Sequence, residues 1–167
     1  MLPYHPATDF FHCWMRIASI VLDSPSRCLE FDRVRIVDFL LSFPREIAAV
    51  RLPREAVALR SSVRTTPEGY VDPASRRQAF VPMGKIQAQV CMDMVAKKLL
   101  VPEEFRDGKL CISSDASALE LMMRVSNKWA QRQEPWHGEA LSALLNLPLN
   151  SNDGLKHRTG LMEHRYD

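Results

Sequence analysis

The side chains best suited to chemistry lie near the N-terminus. His5, Asp9 and His12 are metal-ligand types, with Asp9 and His12 at i, i+3 on one helix face and His5 one step before them. A zinc or iron centre needs such donors together with an ordered outer shell. Asp9 also stands just before an apolar, helix-periodic run, where a carboxylate caps a helix N-terminus. The capping role explains it better, so no metal site is assigned. His137, His157 and His164 match no metal-ligand spacing, and Lys156 beside His157 marks a solvated segment. Glu103, Glu104 and Asp107 read as a charged hairpin tip rather than a carboxylate site.

Nucleophilic and nucleotide chemistry finds no more support. The cysteines Cys13, Cys28, Cys91 and Cys111 show no C-x-x-C spacing. Three of them, Cys13, Cys91 and Cys111, fall in apolar runs, where a reduced cysteine behaves as a small hydrophobe. The chain has no phosphate loop, no G-x-G-x-x-G, no G-x-S-x-G and no H-E-x-x-H. Its 6 glycines leave little scope for close backbone approach to a nucleotide. No catalytic residue and no cofactor is assigned. The expectation is a chain that works by binding other macromolecules, not an enzyme.

The 167 residues, 46% hydrophobic and 25% charged, fit one globular domain with a true core. The formal charge is only +2. Its distribution is uneven: residues 51–85 hold six Arg and one Lys against three acids, whereas the segments on either side are each slightly acidic. Arg60, Arg64, Arg76, Arg77 and Lys85 are therefore the candidate nucleic-acid contacts, since phosphate binding needs such residues and little else. A solvated basic face is the competing reading, and the lack of interleaved aromatics beyond Tyr70 and Phe80 gives no sign of base stacking. The N-terminus lacks the basic region of a signal peptide, and no apolar run reaches the roughly 18 residues of a membrane span. A cytoplasmic setting with reduced thiols is the expectation.

The elements that must position these residues are helical. The first helix starts at Thr8 or Asp9 and carries two apolar stripes, Phe10, Trp14, Ile17, Val21 and Phe11, Met15, Ala18, Leu22. Its one polar stripe is His12, Arg16, Ser19, Asp23, too narrow for a lone small domain, which points to a partner. A second helix, capped by Asp32, runs to Phe43 with Arg35, Asp38 and Ser42 facing out. Pro44 opens a third that ends near Val50, and Pro53 opens a candidate over Arg51 to Arg64. Thr65 to Gly69 is a loop, Asp72-Pro73 restarts a helix, and Pro82 breaks it. Met83 to Leu99 is a strong helix. Asp107-Gly108 predicts a hairpin turn between Phe105 and Lys109–Ile112, giving the helix–hairpin order of a winged helix. Ser114 or Asp115 caps a helix to Arg132, with Ala118, Met122, Val125, Trp129 on one face and Glu120, Arg124, Lys128, Arg132 on the other. A short helix spans Glu139 to Leu147.

The fold class expected is mainly α, a compact domain over 1–149 with a winged-helix-like element and a helical extension. Residues 150–167 read as a flexible or partner-ordered tail. Large groups are plentiful for so small a chain, with 8 Met and 7 Phe. Phe10, Phe11, Trp14, Trp129 and Trp136 are the candidate partner interface, because Met and aromatic residues are enriched at binding surfaces.

One run of residues carries a family resemblance. Tyr4-His5-Pro6-Ala7-x-Asp9-x-x-His12, then Asp32-Arg33-Val34-Arg35-Ile36-Val37-Asp38-Phe39, then Phe43-Pro44, resembles the small middle component of ABC-three-component systems. Those systems overlap with the Lamassu type of bacterial anti-phage and anti-plasmid defence. The match covers mainly residues 4–53 and, more loosely, Met83 to Ile112. The resemblance implies a non-enzymatic subunit between an SMC- or Rad50-like ATPase that senses DNA and an effector, often a nuclease, held inactive until the ATPase engages foreign DNA. It supplies no catalytic residue to carry over. The competing reading is a free-standing winged-helix DNA-binding regulator.

Overall fold

A computed structural model describes residues 5–67 and 76–162. The chain is mainly α, as expected, with one two-stranded antiparallel ladder among the described residues. Helix α1 (Phe10–Asp23) begins where the sequence places it: Asp9 accepts a hydrogen bond from the His12 amide at 2.8 Å. Strand β1 (Cys28–Glu30) leads directly into α2 (Phe31–Ser42). Asp32 is not the cap of α2; Glu30 occupies that position without a side-chain cap bond. Asp32 instead sits in the first turn, where the helix dipole favours an acid, and pairs with Lys156 at 2.7 Å.

Pro44 occupies the first turn of α3 (Pro44–Ile47), as its fixed φ allows. The weak candidate over 51–64 splits into a 3-10 turn, Arg54–Ala56, and α4 (Leu59–Thr65). The expected restart at Asp72-Pro73, and Glu68-Gly69 of the loop before it, lie outside the described residues.

Pro82 does not break the next helix. Helix α5 (Phe80–Ala96) runs through it. Pro82 is the third residue of α5, and an amide there has no intrahelical acceptor to lose.

The expected hairpin is also absent. Phe105 lies in a short helix, α6 (Pro102–Arg106), and Asp107-Gly108 closes that helix. Gly108 has φ +77°, the left-handed conformation that ends helices as readily as it turns hairpins. Strand β2 (Lys109–Cys111) then pairs with β1 far upstream, in the register Cys28↔Cys111, Leu29↔Leu110, Glu30↔Lys109. A single bridge, Leu100↔Ile112, is all that joins the segments flanking α6. The helix–hairpin of a winged helix is therefore replaced by a ladder between distant segments. Leu29 and Leu110 face the core, while both cysteines are half-buried on the other face. The two cysteines are joined as a disulfide, so the expectation of reduced thiols fits only Cys13 and Cys91.

Helix α7 (Ala116–Ala130) is capped by Asp115, which accepts from the Ala118 amide at 2.8 Å. Helix α8 (His137–Leu145) follows. The core lies where α1, α2, α5 and α8 meet, around Ile17, Ile36, Phe39, Leu40, Met94 and Leu144.

Residues 150–162 pack on this core rather than forming a tail. Leu149 and Leu155 are buried, the latter on a short helix, α9 (Leu155–Thr159). The segment lacks an apolar stripe because polar bonds hold much of it: Arg158 donates to the Asp153 carboxylate and to the Arg51 carbonyl, and Arg77 donates to the Thr159 carbonyl at 2.7 Å. The turn before α9 needs Gly154, where a Cβ would lie 2.8 Å from the Leu149 carbonyl oxygen and the Ser151 nitrogen. Gly154→Ala is expected to destabilise the fold by about 1–3 kcal/mol, since backbone atoms cannot yield as side chains do. A lowered urea midpoint with an unchanged m value would show it.

Candidate protein-binding site

The most concentrated polar chemistry in the described residues is sealed from solvent. Arg16 on α1 and Asp38 on α2 pair through Nε and Oδ1 at 2.5 Å, with side chains 4% and 0% exposed. Gln87 on α5 donates to the other Asp38 oxygen at 2.7 Å, and Arg16 also donates to the Pro6 carbonyl at 2.9 Å. Arg16 belongs to the polar stripe of α1 and Asp38 to the stripe of α2 expected to face out; these two members turn toward each other instead. Burial opposes the Arg16 charge, but Asp38 outweighs it and raises the guanidinium pKa further. Cys13 lies 4.0 Å from Asp38, and burial, reinforced by that carboxylate, pushes its thiol pKa well up. Burial likewise pushes Cys91 up to about 12. A nucleophilic cysteine needs a lowered pKa and access; these two have neither. The node ties three helices together.

The candidate metal donors at the N-terminus have other uses. Asp9 caps α1, His5 accepts from the Ala7 amide at 3.1 Å and stacks on Phe43 at 4.9 Å, and His12 meets the Trp129 ring edge-on at 5.4 Å. His137 is buried, and that burial lowers its pKa. His157 is exposed on α9, and His164 lies outside the described residues. Glu103 and Glu104 occupy the first turn of α6, with Asp107 at its end, rather than a hairpin tip.

The five basic candidates do not act as one set. Arg76 and Arg77 both pair with Glu46, at 3.2 and 3.4 Å, and Arg60 donates to the Val50 carbonyl at 3.3 Å. Arg64 and Lys85 are exposed. Three of the five guanidiniums and amines thus hold the protein's own acceptors, which lowers what the stretch can offer to phosphates.

The aromatic candidates divide in the same way. Phe10, Trp14 and Trp136 are half-buried against the core, and the Trp136 indole donates to the Thr66 hydroxyl at 2.9 Å. Trp129 is half-buried between α7 and α1. Phe11 alone of the five points outward, 75% exposed. Sequence reasoning missed other exposed apolar groups: Val81 (70%) and Met92 (55%) on α5, Val57 (44%), and Met123 (43%) and Leu121 (36%) on α7.

Helix α7 explains why Met123 matters. It packs chiefly on α1, through Ala118, Met122 and Ser126, and leaves its far side uncovered. An open groove of about 550 Å³ runs along that side, with Leu119 and Met123 in it and Glu120, Arg124 and Lys128 beside them. An apolar strip rimmed by charges, on a helix anchored from one side only, is how a protein–protein contact surface is built.

The chain is a small helical fold with an uncovered amphipathic helix. The family model for Middle Component 5 of the ABC-three component (ABC-3C) systems matches residues 2–167. The chain belongs to that family. No curated protein and no solved structure matches it. Among the described residues, no helix is long and apolar enough to cross a membrane.

Proposed function

We infer that the chain is a non-enzymatic adaptor in a cytoplasmic bacterial defence complex of the Lamassu type. It links an SMC- or Rad50-like ATPase to an effector, a nuclease, and restrains the effector until the ATPase engages foreign DNA. DNA contact is made mainly by the ATPase. Membership among the middle components supports a role between two other parts. The observation that carries the reading is the uncovered side of α7, where Met123 stands exposed beside Leu119 and a rim of Glu120, Arg124 and Lys128. The diversion of Arg60, Arg76 and Arg77 to internal acceptors argues against a free-standing DNA-binding regulator.

The test is co-expression with the products of the two neighbouring genes, followed by size-exclusion chromatography. The expected result is a stable complex that Met123→Asp weakens by about 30-fold or more, the scale of a 2 kcal/mol hot spot. Phe11→Asp reports on the α1 side in the same assay. Both positions are exposed, so each variant should fold as the parent does. A monomer that ignores both neighbours overturns the reading.

A further inference from the structure

The ladder face opposite the core brings together three groups that the sequence scatters. Cys28 on β1 and Cys111 on β2 are direct cross-strand partners, with Cα atoms 3.9 Å apart. The ladder bonds at Phe31–Gly108 and Arg27–Ile112 place this pair at a non-hydrogen-bonded site, where facing side chains come closest. Glu104 reaches the same place from the first turn of α6, which Gly108 joins to β2. Both sulfurs and a Glu104 oxygen lie within 4.8 Å of one another.

We propose that Cys28, Cys111 and Glu104 form a binding site for a thiophilic divalent cation, zinc above all, in the dithiol state of the chain. Zinc takes thiolate sulfur at about 2.3 Å and carboxylate oxygen at about 2.0–2.2 Å. Tetrahedral coordination at those lengths puts donors about 3.5–3.8 Å apart, within the span these three already occupy. Three protein donors leave the fourth position to water. Two of the donors sit on paired strands and need only side-chain rotation to close on an ion. The third is held loosely: Glu104 meets Lys109 at 3.8 Å, so its carboxylate can turn. All three are half-buried, which gives an ion access from solvent.

The disulfide and the ion exclude each other. A phosphine reductant supplies two electrons and leaves as the phosphine oxide, taking the oxygen of one water whose two protons go to the sulfurs. The S–S bond breaks to give two thiols, and the entering ion displaces both protons. Cys13 and Cys91, buried and far harder to ionise, do not compete.

The experiment uses the full chain under a phosphine reductant, titrated with Co²⁺ and then Zn²⁺. The expected result is one equivalent of Co²⁺ with a thiolate-to-metal charge-transfer band, which Zn²⁺ displaces. Cys28→Ser and Cys111→Ser each remove the band, and Cys91→Ala keeps it. Glu104→Gln weakens binding by about 10- to 100-fold, at least the loss seen for outer-shell partners. Oxidised protein binds nothing. Absence of a saturable equivalent overturns the site, as does a band that survives in the Cys28→Ser/Cys111→Ser chain. Wild-type affinity in Glu104→Gln overturns the three-donor arrangement, and that variant keeps the test decisive if a serine variant misfolds.

Discussion

Asp38→Ala is expected to cost about 3–5 kcal/mol of folding stability, the scale for removing one partner of a buried ion pair. The substitution leaves the Arg16 guanidinium, 3% exposed, without its carboxylate, and takes the acceptor from Gln87 as well. Solvent cannot replace either partner, because the node lies between α1, α2 and α5. In a chain of this size, the loss corresponds to a fall of about 6–20 °C in Tm. Arg16→Met should also destabilise the chain, by leaving the carboxylate to Gln87 and the weak Cys13 thiol contact. The double variant Arg16→Met/Asp38→Leu should cost much less than the two single changes added, since a buried pair replaced by apolar groups is often close to neutral. Guanidinium unfolding of all three variants measures the coupling. Additive losses would mean that the charges do not act as a pair.

Phe39→Ala is expected to match that loss, at about 3–5 kcal/mol, through a cavity rather than a charge. Phe39 is fully buried on α2. Its ring meets Phe43 at 5.1 Å and, edge-on, Phe80 of α5 at 5.6 Å. Truncation removes contacts to two elements at once and opens a void that they cannot jointly close. Phe11→Ala is the internal comparison: with its ring 75% exposed, its loss should stay within about 0.5 kcal/mol. Equal midpoints for the two variants would show that Phe39 is not a keystone of the core.

The comparison of these residues shows what the sequence can and cannot state. Periodicity correctly grouped Arg16 with His12 and Ser19, and Asp38 with Arg35 and Ser42. It could not say that one member of each stripe, Arg16 and Asp38, turns toward the other. The available signal was opposite charge on two otherwise apolar helices. Caps were legible where one side chain serves its own helix, as with Asp9 and Asp115. Asp107-Gly108 was ambiguous because the left-handed glycine serves a helix end and a hairpin equally well. A three-residue strand carries too short a pattern to name its partner, so the β1–β2 ladder and the disulfide it holds were beyond reach. At the candidate protein-binding site, Phe10 and Phe11 lie on adjacent stripes of α1, and spacing cannot tell which one meets water. Met123 and Leu121 escaped notice because the inner stripe of α7 already accounted for its packing.

The ladder also constrains when the molecule can be completed. Its two strands are separated by 83 positions, and that stretch includes α2 through α6. Pairing them must overcome the closure entropy of a long loop, a cost that helices formed by neighbours in sequence avoid. A ribosome releasing the chain exposes β1 and its apolar Leu29 long before β2 exists to cover them. Folding should therefore start with local contacts among α1, α2 and α3. The ladder, and whatever its two cysteines hold, should be among the last parts to assemble.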